Sequence, residues 1–212
     1  VAGLSRRNAR AKHRRFLVEG PQGVREAVRH APGRVLDVYL TEAALERHSE
    51  IWDEAVAAGL HMHVTTQQVM DAMSPDAQGL LAVVATEEAT GSEALTAALD
   101  GARLVAVLTQ AQDPGNAGTI IRAADAAGAD AVVLVRGSVD PTAPKVVRST
   151  AGSLFHLPVV TGVALDDAVT ALHNAGLTVL AADGRGDFDL FEAESLLEAP
   201  SAWLLGNEAH GL

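Results

Sequence analysis

Cysteine is absent from all 212 residues, which excludes disulfides, thiolate nucleophiles and cysteine-ligated metal centres. Long apolar runs are absent too, and none approaches the roughly 20 residues that a membrane-spanning helix requires. The N-terminus is basic but has no apolar stretch behind it, so no secretory leader is expected and the cytoplasm is the simplest location. Internal repeats and low-complexity segments are lacking. What remains is an ordinary globular composition, 48% hydrophobic and 20% charged, long enough for one large domain or two small ones.

The first fifteen positions contain no acid, and this shapes the charge distribution. The net charge is −11, yet Arg6, Arg7, Arg10, Lys12, Arg14 and Arg15 all lie in that arm, which leaves 10 basic against 27 acidic residues elsewhere. A phosphate backbone would be drawn to the arm and repelled by much of the body, giving oriented, salt-sensitive binding. The same arm would equally serve as a solvated, solubilising tail, and charge alone does not separate the two.

Residues 16–86 alternate short β-rich runs with helical ones. "FLVEG", "RVLDVYLT", "LHMHVT" and "GLLAVVAT" read as strands, with "PQGVREAVRHA", "SEIWDEAVAAG" and "TQQVMDAM" as the helices between them. Residues 86–102, "TEEATGSEALTAALDGA", are acidic and poor in large apolar groups. They read as a linker with a short helix, which predicts domains over 1–88 and 103–212 joined by 89–102.

From residue 103 the alternation is cleaner. "LVAVLT", "DAVVLV", "LPVV", "LTVLAAD" and "AWLLG" read as strands. Helices are expected over 117–128, in "PKVVRSTAGS" and in "DDAVTALHNAG". Continuous Val/Leu/Ala strands alternating with helices predict an α/β fold with a parallel sheet covered on both faces. Right-handed crossovers then bring the loops "QAQDPGNAG", "RGSVDPTAPK", "ADGRGDFD" and "GNEAHGL" to one carboxyl edge, where open α/β sheets bind ligands.

Phosphate-loop signatures are missing from that edge. "QDPGNAGTIIRAADAAG" has neither a Gly-Lys-Ser/Thr ending nor the G-x-G-x-x-G spacing. Taken singly, Asn116 reads as a helix N-cap and Arg122 as an i+3 partner of Asp125. Glu208 in "LLGNEAHGL" is a turn carboxylate, and Lys145, Arg148 and Ser149 form a cationic-hydroxyl helix face. His61 and His63 in "HMH" have no evident third ligand, so no metal is expected.

Together these segments are more specific than any one of them. "QDPGNAGTIIRAADAAGAD", "PKVVRSTAGSLFHLPV" and "LLGNEAHGL", in that order, resemble motifs of the SpoU/TrmH family of RNA ribose 2′-O-methyltransferases. "RRNARAKHRRFLVEG" followed by "QGLLAVVA" resembles the small ribosomal-protein-like α/β RNA-binding domain of many members. The resemblance implies a C-terminal SPOUT domain with a trefoil knot, S-adenosylmethionine as donor, and a homodimer with sites at the subunit interface. Carried over by position, Asn116, Arg122 and Glu208 are its catalytic-motif residues. Leu180, Ala181, Ala182, Asp183 and Gly184, with Leu205, Gly206, Asn207, Gly211 and Leu212, are its cofactor loops. Lys145, Arg148 and Ser149, with the basic arm, are its RNA contacts. The family's serine-asparagine third motif should follow "GNEAHGL", whereas the sequence given ends at Leu212, so an incomplete knot is expected for this chain.

The reaction implied is methylation of a ribose in RNA, ribosomal rather than transfer RNA because an added domain suits a bulky target. Family accounts give the position of Arg122 a role in proton removal. A charged guanidinium has no lone pair, so gripping a phosphate or the developing alkoxide suits it better. The alternatives are an RNA-binding protein that keeps the fold without catalysis and, from another class, a dinucleotide-binding enzyme. The latter lacks the acidic residue that should end the strand after a glycine fingerprint.

Overall fold

A computed structural model describes residues 1–87, 89–183, 186 and 198–206. The helices are α1 (Arg7–His13), α2 (Pro21–His30), α3 (Glu42–Arg47), α4 (Ser49–Ala57), α5 (Gln67–Met73), α6 (Gly91–Leu99), α7 (Pro114–Ala126), α8 (Pro144–Ser149) and α9 (Leu165–Asn174). The strands are β1 (Arg15–Glu19), β2 (Val35–Thr41), β3 (Met62–Thr65), β4 (Leu80–Ala85), β5 (Leu104–Leu108), β6 (Ala131–Leu134), β7 (Val159–Thr161), β8 (Thr178–Ala182) and β9 (Ser201–Leu205). They divide into two compact units, Val1–Glu87 with Asp140–His156, and Glu88–Val139 with Leu157–Leu212.

The first unit is built on a sheet ordered β1-β4-β2-β3. β4 runs antiparallel to both β1 and β2, while β3 lies parallel to β2. Antiparallel sheets often leave one face wet, but β4 reads as unbroken apolar sequence because both its faces are covered. Leu80, Ala82 and Val84 pack with Phe16, Val24 and Ile51, while Leu81 and Val83 pack with Leu4, Leu17 and Met70. The sequence assigns 140–156 to the C-terminal half, but this segment contributes Val147 and Phe155 to the first unit's core. Phe155 stacks on Phe16 with ring centroids 6.4 Å apart.

The N-terminal arm is folded rather than a free tail. Leu4 is buried and residues 7–13 form α1. Arg10, expected to face RNA, is only 5% exposed and its guanidinium pairs with Asp140 Oδ2 at 2.7 Å. It also donates to the backbone oxygens of Leu4 (3.2 Å) and Ser5 (2.9 Å) and to Thr142 Oγ1 (3.3 Å). Four of its five N–H donors are committed in this way and the side chain is buried, so Arg10 serves the fold where an RNA contact was expected.

Burial opposes ionisation of Asp140, but hydrogen bonds from Thr142 and Arg10 outweigh it and hold the carboxyl below its ordinary range. A depressed carboxyl pKa adds stability above the unfolded value of about 3.9, and this is lost as pH falls through the folded value. Arg10→Met should therefore cost about 2–4 kcal/mol at neutral pH, since it strands a part-buried carboxylate. Urea titrations at pH 7 and pH 3 should show the penalty shrinking in acid. An equal penalty at both would remove the ion pair from the explanation.

The second unit carries an all-parallel sheet ordered β7-β6-β5-β9-β8. On one face Val105, Val107, Val133 and Leu204 pack against Leu95, Leu99 and Leu172 from α6 and α9. On the other, α7 lies against β5 and β6, burying Ala117, Ile121 and Ala124. The short helix expected within 89–102 forms as α6, and its Leu95 and Leu99 are buried in this core. Mixed α/β architecture with a C-terminal parallel sheet agrees with expectation. The segment that would close a knot lies outside the described residues.

Candidate functional site

Strand order in the parallel sheet reverses between β5 and β9, and the strand ends there are level. Leu108 pairs in register with both Leu134 and Leu205, and Leu205 with Ala182, so four carboxyl ends share one edge. Such a reversal opens a crevice in which α/β sheets take ligands. Thr109 fastens it, since its backbone N–H and its hydroxyl both donate to Leu205 O, at 3.0 and 3.2 Å.

The segment between β5 and α7 is held from several sides. Val139 N–H donates to Ala111 O at 2.8 Å, and Ser138 Oγ to Leu108 O at 3.3 Å. Gln110 is forced to φ +54°, a region that non-glycine residues rarely enter and that often marks a functional turn. Sequence reading missed Thr109 and Gln110, because neither belongs to a motif and a backbone angle has no residue-type signature here. Asp113 is the helix N-cap, accepting from Asn116 N–H at 2.8 Å, with Pro114 in the first turn. Asn116 is therefore three residues inside α7, and its expected capping role falls to Asp113.

Asn116 and Arg122 are both exposed on α7. Six residues separate them, which is about 9 Å along the axis and about 120° around it. Asn116 lies in the first turn of α7, whereas Arg122 lies on a different stripe of the helix. Arg122 makes no ion pair or hydrogen bond with a described residue. At the end of β8, Ala181, Ala182 and Asp183 are exposed and Leu180 is half-buried. Leu205 and Gly206 are half-buried at the end of β9. Gly184, Asn207, Glu208, Gly211 and Leu212 lie outside the described residues.

The basic residues differ in how exposed they are. Arg6, Arg7, Lys12, Arg14 and Arg15 are exposed. Lys145 is exposed on α8, and Ser149 Oγ donates back to Lys145 O at 2.8 Å. Arg148 is bound to the buried Glu19, which also accepts from Ser74 Oγ, and to Asp76 at 3.0 Å. Its charge is largely answered within the first unit.

Residues 103–212 match the profile of the SpoU rRNA Methylase family, and residues 17–90 match a profile described as RNA 2′-O ribose methyltransferase substrate binding. A 23S rRNA (uridine(2479)-2′-O)-methyltransferase of Streptomyces viridochromogenes is 33% identical over 99% of this chain and 73% of its own length. A 23S rRNA (guanosine(2553)-2′-O)-methyltransferase of Bacillus subtilis is 35% identical over 74% of this chain, which spans only 58% of that relative. The crystal structure of an AdoMet-bound rRNA methyltransferase from Sinorhizobium meliloti superposes with a TM-score of 0.80 at 27% identity, covering 100% of this chain and 77% of that one.

Proposed function

The chain belongs to the SpoU rRNA methylase family, and from that premise we propose that it methylates a ribose 2′-hydroxyl of RNA, ribosomal in preference to transfer RNA, using S-adenosylmethionine. The strand-order reversal between β5 and β9, with the ends of β8 and β6 level beside it, carries this reading. The donor set fits the cofactor. Ala181, Ala182 and Gly206 have little or no side chain, so backbone amides and carbonyls at that edge can be reached by an adenosine and an amino-acid group. The glycines of the sequence motif, Gly184 and Gly211, extend the same logic.

Bound S-adenosylmethionine supplies an electrophilic methyl carbon on a sulfonium. The chain must align a ribose oxygen in line with that carbon–sulfur bond and ease loss of the hydroxyl proton. Asn116 in the first turn of α7 suits the aligning role, and Glu208 joins it on the sequence motif. Arg122 supplies positive charge for a phosphate or the forming alkoxide. Its separation from Asn116 suits a site completed by a second copy of the chain, so a cytoplasmic homodimer is part of the proposal. Arg6, Arg7, Lys12 and Arg15 are the exposed cations assigned to RNA, with Arg14 and Lys145 exposed in the same unit.

The test is transfer of a labelled methyl group from S-adenosylmethionine to ribosomal RNA by the full-length protein, followed by digestion to nucleosides. Label on the 2′-oxygen, at a ribose that loses methylation in cells lacking the gene, is the expected result. RNA binding without transfer would instead favour a non-catalytic binding protein. Deleting the arm would remove buried Leu4 and Arg10, so its role is better tested by Arg6→Gln, Arg7→Gln and Lys12→Gln together. The triple variant should flatten the salt dependence of RNA binding by up to about 0.9 log unit per lost phosphate contact. Donor affinity should stay unchanged, and an unaltered slope would dismiss the arm.

A further inference from the structure

Two imidazoles and one carboxylate converge in the first unit, on residues that the methyl-transfer reading does not use. Glu26 and His30 lie on α2, and His156 ends the turn after Ser153–Phe155. Glu26 Oε2 lies 3.2 Å from His156 Nε2 and 3.4 Å from His30 Nε2. One ligand atom from each of the three lies within 4.8 Å of the others.

These separations have a particular size. A charge-assisted hydrogen bond closes to about 2.7–2.9 Å, as His63 Nε2 does with Asp37 Oδ1 at 2.9 Å in the same unit. Ligands about 2.05 Å from a tetrahedral zinc ion stand about 3.3 Å apart. Both Glu26–His distances lie close to that tetrahedral edge; the His156 contact is also within hydrogen-bond reach, and the His30 contact is longer.

The surroundings orient the same groups. Gln22 Nε2 donates to Glu26 Oε1 at 3.0 Å, which fixes the carboxylate and leaves Oε2 facing the imidazoles. The neighbouring cations of α2 are engaged elsewhere, Arg25 with Glu50 at 2.8 Å and Arg29 with Glu54 at 2.6 Å. His30 is the last residue of α2, where the partial negative charge of the helix end favours a cation. Gly152, at φ +103°, lets the backbone pass so close to Glu26 that an added Cβ would lie 2.3 Å from its Cγ. The chain is thus shaped to bring the 152–156 turn down onto the carboxylate.

We infer that Glu26, His30 and His156 form a binding site for a divalent cation of the zinc class, with water at the fourth position. The ion would tie the end of α2 to the 140–156 segment and act as a clamp within the first unit.

The experiment uses the untagged full chain, stripped with a chelator, and reads Zn²⁺ binding by calorimetry and Co²⁺ binding by visible absorption. One equivalent should bind in the micromolar range or tighter, with a tetrahedral cobalt spectrum and a melting temperature that rises with zinc and falls with chelator. His30→Ala and His156→Ala should each weaken binding at least about tenfold, whereas His63→Ala should leave it unchanged. His30 is 48% exposed, so its alanine variant should keep the metal-free melting temperature, which separates lost binding from lost fold. Absence of binding at micromolar zinc, or binding that survives the double variant, would overturn the site.

Discussion

Gly152→Ala is expected to lower stability by about 2–5 kcal/mol, a large share of the roughly 5–15 kcal/mol that holds a domain folded. Two costs combine. A φ of +103° strains any residue with a Cβ by about 1–2 kcal/mol. The new methyl would also lie 2.6 Å from Glu26 Cβ and 2.3 Å from its Cγ, atoms near the backbone of α2 that cannot swing away, and such overpacking costs about 1–3 kcal/mol more. Gly59→Ala is the control. Gly59 has a positive φ of 71° in the same unit, but nothing lies within 4 Å of its would-be Cβ, so it should lose only the conformational part. Thermal unfolding should place Gly152→Ala about 10 °C below wild type, with Gly59→Ala only a few degrees lower. Equal losses in the two variants would show that the approach to Glu26 is not tight.

Local chemistry made much of this fold legible. Runs such as "LVAVLT" and "DAVVLV" admit few readings other than buried parallel strands, and β5 and β6 form there. Pro114 with Asp113 is a helix-start pair, yet the expected helix began at 117 because the glycines after Pro114 resembled a loop; Asp113's cap overrides them. Leu95 and Leu99 give only one turn of apolar spacing amid small and acidic residues, so the short helix expected there showed no sign of belonging to the core.

What could not be read were partnerships across long stretches of chain. Arg10 meets Asp140 and Arg148 meets Glu19, separations of 130 and 129 residues, and a run of cations looks the same whether its acids are distant or absent. The histidines illustrate the same limit. "HMH" drew attention by spacing, but His63 is used by Asp37, while His30 and His156 meet only through the return of residues 140–156 to the first unit. At the crevice, motif residues identified α7 and the ends of β8 and β9, but the angular offset between Asn116 and Arg122 follows from where the helix begins.

That offset makes Arg122 the most informative residue to change. Arg122→Ala should lower the rate of methyl transfer by about 10²–10³, the range for losing one preorganised electrostatic donor. The side chain is exposed and makes no ion pair or hydrogen bond with a described residue, so folding stability should move by no more than about 0.5 kcal/mol. A loss of activity in a protein that melts normally would then belong to the chemistry. Arg122→Lys divides the possible roles. If Arg122 works by charge at a phosphate or alkoxide, lysine keeps the charge and should retain a measurable rate well above the alanine variant. If a planar, two-pronged grip is required, lysine should fall as far as alanine. Donor affinity should be unchanged in both variants, since the strand ends expected to hold the donor are untouched. A normal rate in Arg122→Ala would remove this residue from catalysis and leave Asn116 and Glu208 as the motif side chains able to serve it.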